Sequence, residues 1–226
     1  MRGFRAAVAA LCMAAVSACA QFTNEPEELA PAVLSQAVDT LALFRANPDL
    51  KKIDELIPDA AGILILPRVV KGGLIVAAEA GTGVLLARKS GSTWSAPAFY
   101  LLSSGSVGFQ MGLQETAIVM IIRNQKALDA VIEHQGKFGA DIGVTVGWAG
   151  IGYEGATTVG LGADIVALSA GNLGVFGGMS LEGAAIVRRT DLNELVYGPG
   201  ATPRAILFGD LANPMADPLR AAINPR

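Results

Sequence analysis

Short apolar runs, separated by glycine, proline and serine, make up most of the sequence after Ala61. The clearest are GILIL, GLIVAAEAG, GVLLARK, AFYLL and AIVMIIR. Runs of this length, bounded by turn residues, are typical of β-strands rather than helices. The chain has 27 glycines, and glycine within a strand permits tight bending or the close approach of another backbone. The sequence therefore predicts a glycine-rich, curved, mainly antiparallel β-sheet, barrel-like or sandwich-like in form.

Further strands are predicted by alternation and by later apolar runs. Residues 107–114 alternate bulky apolar side chains with glycine and glutamine, as expected of a strand that covers a core on one side only. A second set of strands is predicted over residues 143–148, 157–163 and 165–170, with a hairpin over 174–188.

Two helices are predicted before the sheet. Asn24, Pro26 and the acids after them form a helix start, and apolar residues then recur at helical spacing to about Ala46. A second, shorter helix is predicted after Pro48, and Pro58 is expected to end it. The residues expected to face inward are Leu29, Val33, Ala37, Leu41, Phe44, Leu50, Ile53, Leu56 and Ile57.

The predicted fold class is α+β, with N-terminal helices packed on the sheet and a short inserted helix. That inserted helix is predicted over residues 124–136, with Leu128, Val131 and Ile132 inward, and a last short helix begins at Thr202. The predicted organisation is a signal segment over 1–19, a linker and amphipathic helix over 20–46, a domain over 47–210, and a Pro-containing tail over 211–226. We expect the tail to be mobile.

The first 19 residues have the features of a secretory signal: a basic start at Arg2 and Arg5, then an apolar stretch too short to span a bilayer. The sequence Val-Ser-Ala-Cys at its end resembles the bacterial lipobox, which predicts that Cys19 carries acyl chains such as palmitate. Ordinary cleavage after Ala20 is the alternative and would release a protein beginning at Gln21. Because position 20 is not the aspartate that commonly retains such proteins at the inner membrane, we expect outer-membrane placement facing the periplasm in a two-membrane cell.

Charge and composition exclude several classes of protein. Loss of the signal removes two of the 17 basic residues and none of the 20 acidic ones, which leaves a formal net charge of −5. A nucleic-acid partner is therefore not expected, because it needs a clustered positive field. Residues 155–187 come closest to an apolar span but contain Asp164, Asn172 and Glu182, so no membrane-spanning helix is predicted.

The sequence offers little for catalysis, and we predict no cofactor, metal or catalytic residue. His134 is the only histidine, and no thiol remains once Cys19 is acylated, so a zinc site of nitrogen and sulfur ligands cannot be assembled. Residues 150–155 match G-x-G-x-x-G, but a strand-like segment follows where a dinucleotide site needs a helix. We interpret this motif as a hairpin turn.

Three acids in the second strand set, Glu154, Asp164 and Glu182, are interpreted as partners of basic side chains in the sheet. Glu182 and Arg188 share strand parity, for example. The alternative for Glu154 with Asp164 is a carboxylate-dependent hydrolase acting on an envelope substrate.

Four basic residues at the ends of predicted strands are candidate lipid contacts: Arg68, Lys71, Arg88 and Lys89, with Trp94 soon after them. Basic side chains beside an amphipathic aromatic suit a lipid headgroup boundary. A solvated strand rim, with Trp94 packed in the core, explains the same residues.

Several stretches together resemble the SYLF domain family, a lipid-binding domain also described as an actin-binding domain in yeast cortical-patch proteins. In order they are KGGL at 71–74, GTGVLLAR at 81–88, WSAP at 94–97, residues 105–112 with Gln110, SLEG at 180–183, and Asn193 leading to Tyr197. The resemblance implies helices before a curved β-sheet, and phospholipid binding without catalysis. Animal members bind phosphoinositides through a basic N-terminal region, whereas the first helix here is acidic.

The leading hypothesis is an envelope lipoprotein whose domain binds phospholipid at the membrane surface, with anionic lipids among the candidates. The alternative is an interaction module that docks another envelope protein.

Overall fold

The computed structural model describes residues 25–48, 50, 53–73, 76–91, 93–107, 112–133, 146–150, 163–171 and 184–224. The helices are α1 (Pro26–Ala46), α2 (Ile53–Leu56), α3 (Gln125–Glu133), α4 (Thr190–Tyr197), α5 (Pro203–Phe208) and α6 (Asp217–Ile223), with 3-10 turns at Ile57–Asp59 and Pro214–Ala216. The strands are β1 (Gly62–Gly73), β2 (Val76–Ser90), β3 (Thr93–Trp94), β4 (Ala98–Val107), β5 (Gly112–Ile122), β6 (Val146–Gly150), β7 (Ile165–Gly171) and β8 (Ala185–Arg188).

The strands form one sheet in the order β6-β7-β5-β1-β2-β4-β8, with β3 paired to β2. The described pairs are antiparallel except β6 with β7. The predicted α+β class with a mainly antiparallel sheet is confirmed. Of the two predicted forms, the described strands adopt neither a closed barrel nor a pair of facing sheets; they make a single open sheet with helices on both faces.

Both faces of the central strands are buried because alternate side chains meet different helices. Ile63 and Ile65 of β1 pack with α1, α2, α4 and α6, whereas Leu64 and Leu66 pack with α3 and α5. Full burial of such a side chain contributes about 1.5–3 kcal/mol. The core therefore occupies two layers, one on each side of the sheet.

Helix α1 follows the predicted periodicity from Pro26 to Ala46, and its predicted start at Asn24 lies outside the described residues. The second predicted helix is a single turn, α2, followed by a 3-10 turn. Pro58 was expected to end the helix, but it lies within that 3-10 turn. Proline is tolerated there because the first turn of a helix has no internal partner for its N–H.

The predicted strand GVLLARK and residues 76–81 of the run GLIVAAEAG form one strand, β2, and Gly81 and Gly83 do not interrupt it. A Cβ atom at Gly83 would lie 2.2 Å from the carbonyl oxygen of Ile65, and one at Gly81 would lie 2.6 Å from that of Arg68. The register of β1 against β2 shifts between Ile65 and Val70. The glycines therefore allow the irregular part of β1 to lie close against β2.

The strand predicted over residues 107–114 is wrong as a single element. Val107 ends β4 and Gly112 begins β5, and β1 and β2 lie between these strands in the sheet. Residues 108–111 lie outside the described part of the chain. The alternation of bulky and small or polar residues concerns only neighbouring residues. It therefore does not indicate that Val107 and Gly112 belong to different strands.

The later predictions are confirmed where the structure describes them. The inserted helix is α3, begun by Asn124, whose Oδ1 accepts from the Ala127 N–H at 2.9 Å. The strands predicted over 143–148 and 165–170 correspond to β6 and β7, and Thr202 caps α5. Residues 157–163 and 174–188 are described only at 163 and from 184 onward.

The C-terminal tail was expected to be mobile, but it contains α6, which packs on α1. Leu219 and Ile223 of α6 are fully buried. Arg45 of α1 donates to the carbonyl oxygens of Ala222 at 2.5 Å and Ile223 at 3.1 Å. A cation at a helix C-terminus satisfies carbonyls that have no partner inside the helix. Helix α4 was not predicted at all.

Candidate functional site

The five candidate lipid contacts are spread along the length of the sheet and do not form one cluster. Ala87 of β2 pairs with Gly62 of β1, whereas Lys71 of β1 pairs with Glu79 of β2. Nine residues of strand separate these pairs, which corresponds to about 30 Å. Arg88, Lys89 and Trp94 are therefore near one end, Lys71 is near the other, and Arg68 lies near the middle of β1.

Arg88 is bound by backbone carbonyls of its own chain. Its Nε donates to Ala60 at 2.7 Å, one terminal nitrogen donates to Gly91 at 2.8 Å, and the other donates to Ile57. The guanidinium also lies 4.4 Å from the centre of the Trp94 ring. These contacts join the 3-10 turn after α2 to the end of β2.

Trp94 and Lys89 make contacts with the C-terminal part of the chain. The Trp94 side chain is 2% exposed, and its indole N–H donates to the side-chain oxygen of Asn224 at 3.2 Å. Lys89 is exposed and donates from Nζ to the Gly209 carbonyl oxygen at 2.6 Å. Of these residues, only Lys89 has an exposed charged group.

An open groove of about 500 Å³ lies between α1 and the sheet, beside the middle of β1 and β5. Its lining includes Asp39 and Leu43 of α1, Arg68 of β1, Glu115 of β5 and Ala170 of β7. We call this site the α1 groove. Of the five predicted candidates, only Arg68 lines it.

Two local features form the α1 groove. The register between β1 and β5 shifts between Leu66 and Val69, so β1 is irregular where Arg68 lies. On the other wall, Asp39 and Leu43 are four residues apart and project from the same side of α1. Both are exposed, and Leu43 is 52% exposed although it is apolar.

The α1 groove carries charges of both signs. Arg68 Nε lies 2.8 Å from Glu115 Oε2, and the two side chains are 50% and 46% exposed. Asp39 makes no hydrogen bond or ion pair within the described part of the chain. With one guanidinium and two carboxylates, the lining has a formal charge of −1.

The sequence did not identify Glu115, Leu43 or Asp39 as parts of a site; it showed only that the first helix, which contains Asp39, is acidic. Nothing local marks these residues, because α1, β1 and β5 are far apart in the chain and meet only in the folded protein.

Lys71 lies on the opposite face of the sheet from the α1 groove. It pairs with Glu79, which is 8% exposed and shares the parity of the buried Leu85. The Ser104 hydroxyl donates to the Glu79 carboxylate at 3.1 Å. Burial raises the pKa of Glu79, while the Ser104 hydrogen bond and the Lys71 charge partly oppose this.

Of the three acids that were predicted to pair with basic side chains in the sheet, the structure describes only Asp164. Asp164 Oδ1 accepts from the side-chain amide of Asn124 at 2.7 Å and so supports the start of α3. Glu154, Glu182, His134 and residues 151–155 of the G-x-G-x-x-G segment lie outside the described residues, and Gly150 ends β6. Within the described residues, no group of three or more His, Cys, Asp and Glu side chains is placed to hold a metal ion. In the same part of the chain, no helix has the length and apolar character needed to cross a membrane.

Comparison with known proteins identifies the family. Residues 103–225 match the family model Ysc84, described as "Las17-binding protein actin regulator". LAS seventeen-binding protein 3 of Saccharomyces cerevisiae is 32% identical over 84% of this chain and 43% of its own length. SH3 domain-containing YSC84-like protein 1 of Bos taurus is 31% identical over 75% of this chain and 50% of its own length.

The chain belongs to the Ysc84 family. The resemblance to the SYLF domain family is thereby confirmed, since both names describe this domain. The chain spans about half the length of the curated relatives it matches.

Several residues of the family motifs stabilise the fold of this Ysc84 domain. Asn193 is fully buried, and its side chain accepts from the Phe99 N–H at 2.8 Å and donates to the Phe99 carbonyl oxygen at 3.1 Å. The Tyr197 hydroxyl donates to the Pro97 carbonyl oxygen at 2.8 Å. Ser95 Oγ accepts from the Ala87 N–H at 2.9 Å. Asn193 and Tyr197 therefore hold α4 against the start of β4, and Ser95 holds the segment between β3 and β4 against β2.

Proposed function

We propose that this Ysc84-family protein is an exported lipoprotein, anchored by acyl chains on Cys19, whose domain binds phospholipid without catalysing a reaction. In a two-membrane cell, we propose the outer membrane, facing the periplasm, as its location. The lipobox-like sequence before Cys19 supports the anchor, and the family supports a binding domain.

The observation that carries the lipid-binding proposal is the α1 groove with Arg68 in its lining. The donors of Arg88 are already bound to carbonyls and Trp94 is buried, so neither presents a surface to a membrane. Arg68 is half-exposed beside an exposed apolar side chain, Leu43. A charged group next to an apolar one suits the boundary between headgroups and acyl chains.

The anchor and the domain have different roles in this proposal. A single acyl chain gives only marginal membrane binding, with a partition constant on the order of 10⁴ M⁻¹, whereas two or more give stable residence. The acyl chains on Cys19 therefore supply attachment. Lipid contact by the domain supplies orientation or lipid choice.

Cosedimentation with vesicles tests the domain separately from the anchor. The protein is the chain from residue 19 with Cys19→Ser, here called the unacylated chain, which retains every described element. We expect it to pellet with phospholipid vesicles, and Arg68→Gln to reduce pelleting more than Lys126→Gln on α3. No pelleting with any phospholipid would contradict lipid binding by the domain.

Metabolic labelling with a fatty-acid analogue tests the anchor. We expect label on the wild-type protein and none on Cys19→Ala. Unlabelled wild-type protein would contradict the lipoprotein proposal and favour cleavage after Ala20.

Docking of an envelope protein is the second candidate function. It is favoured by the relatives, one of which is named LAS seventeen-binding protein 3. Crosslinking in cells that recovers one stoichiometric protein partner, together with failure of vesicle binding, would support it over the first.

A further inference from the structure

We infer that the α1 groove recognises a zwitterionic headgroup of the phosphatidylethanolamine type, with a phosphate and a primary ammonium, in preference to an anionic headgroup. This inference rests on the proposed phospholipid binding and specifies the lipid class. The supporting observations are the charges of the side chains that line the α1 groove, their exposure to solvent and the volume of the groove.

The charge pattern of the α1 groove disfavours an anionic ligand. A phosphate that approaches Arg68 also approaches Glu115, whose carboxylate is 2.8 Å from Arg68, and Asp39 lines the same groove. Like charges at this range repel. A ligand that carries an ammonium together with its phosphate adds no net charge, places a positive charge beside the carboxylates and leaves the guanidinium for the phosphate.

The existing ion pair is weak enough to be exchanged for a ligand. Arg68 and Glu115 are each about half-exposed, at 50% and 46%. An exposed pair of this kind contributes only about 0–1 kcal/mol. A phosphate can bind a guanidinium through two parallel hydrogen bonds. The ammonium then replaces the guanidinium as the partner of Glu115 and supplies a partner for Asp39.

The apolar part of the lining fits what lies next to the headgroup in a phospholipid. Leu43 is 52% exposed one helical turn beyond Asp39, and Ala170 lines the opposite wall. These side chains offer contacts to the glycerol and the first methylene groups. The α1 groove therefore offers charged side chains to the headgroup and apolar side chains to the glycerol and first methylene groups of the same lipid.

The size of the α1 groove favours a small group over a protein surface. About 500 Å³ lies within the range of roughly 300–1,000 Å³ typical of small-molecule sites. A stable protein interface instead buries about 800 Å² on each partner, usually without such a concavity.

Vesicle binding with three lipid compositions tests the headgroup. The unacylated chain is sedimented with vesicles of phosphatidylcholine alone, with added phosphatidylethanolamine, and with added phosphatidylglycerol. We expect the tightest binding with phosphatidylethanolamine, because its primary ammonium donates hydrogen bonds that choline cannot donate. Binding should weaken roughly tenfold in Asp39→Asn, because the amide oxygen still accepts from the ammonium but no longer carries the negative charge that strengthens the hydrogen bond. Glu28→Gln, an exposed acid of α1 outside the groove, is the matched control and should bind like wild type.

Competition separates the headgroup from its phosphate alone. Soluble phosphoethanolamine should release the protein from phosphatidylethanolamine vesicles at concentrations where inorganic phosphate does not. The circular dichroism melting curve of Asp39→Asn should match that of wild type, which excludes loss of the fold as the cause of weaker binding.

The outcomes distinguish this inference from the proposed function. Preference for phosphatidylglycerol, or unchanged phosphatidylethanolamine binding in Asp39→Asn, would overturn the headgroup inference and leave phospholipid binding intact. Failure to bind any vesicle would overturn both. Binding of a purified envelope protein that Asp39→Asn weakens, without vesicle binding, would assign the α1 groove to a protein partner and overturn both as well.

Discussion

The two halves of the long central strands β1 and β2 differ in the burial and the charge of their side chains. In the covered half, residues 62–66 of β1 and their partners at 84–87 of β2 are buried among helices on both faces. In the polar half, which begins at Arg68, β1 carries Lys71 and β2 carries Glu79. The pairing of β2 with β4 continues from one half to the other, whereas the register of β1 against β2 shifts between Ile65 and Val70.

This contrast assigns different physical roles to the two halves. Apolar burial in the covered half supplies the stability that holds the strands in register. The polar half then needs little burial of its own and is able to hold charged side chains beside the open α1 groove. Substitutions in the covered half should therefore change stability, whereas those around the groove should change binding.

The largest stability loss is expected for Phe99→Ala in the covered half. Phe99 is fully buried and pairs with Val84, and truncation of a buried aromatic costs about 3–5 kcal/mol. Urea unfolding of the unacylated chain measures the change. Leu43→Ala in the α1 groove is the comparison and should stay within about 0.5 kcal/mol of wild type, because Leu43 is exposed. Similar losses in both variants would contradict the division into two halves.

A smaller loss is expected for Asn193→Ala, which removes both hydrogen bonds to the backbone of Phe99. The buried Phe99 N–H is left without a partner, which costs about 1–3 kcal/mol, whereas the Phe99 carbonyl oxygen still accepts from the Arg189 N–H at 2.9 Å. The same unfolding measurement applies. Gln125→Ala, which removes an exposed hydrogen bond to Asp129, is the control and should change stability little. If the two variants are equally stable, Asn193 does not hold α4 to β4 as described.

A pH-dependent effect is expected for Glu79→Gln in the polar half. Burial raises the pKa of Glu79, so the folded protein binds this proton more tightly than the unfolded chain. Its contribution is fully present below the unfolded pKa of about 4.5 and is lost as pH rises through the folded pKa. Glutamine keeps an acceptor for Ser104 without a charge.

The measurement is the free energy of unfolding of Glu79→Gln and wild type between pH 4 and pH 7. The difference between them should shift in favour of the variant as pH rises. Parallel profiles across this interval would show that Glu79 is not buried as a charged group.

The smallest stability change is expected for Arg68→Gln in the α1 groove. The half-exposed pair with Glu115 contributes about 0–1 kcal/mol, and added salt weakens it further. Vesicle binding should fall nonetheless, because the phosphate loses its guanidinium. A loss of stability comparable to that of Phe99→Ala would show that the polar half supports the fold directly.

Much of the fold was predictable because helix and strand periodicity is a local property. Helices α1 and α3 and the strands around β1, β4 and β5 follow from the spacing of apolar residues. The site was less predictable. Of five candidate residues, the fold places one, Arg68, in the groove and uses Arg88 to join two segments of the chain.

The sequence by itself determined the α+β class, the helical start and the family, because these depend on residues near one another in the chain or on ordered motifs. Only the tertiary structure decided that Gly81 and Gly83 lie inside one strand, since their role is set by the approach of β1. It also decided that Arg68 meets Glu115 beside Asp39. These contacts depend on the register between strands and on the packing of α1. Neither can be determined from a short stretch of sequence.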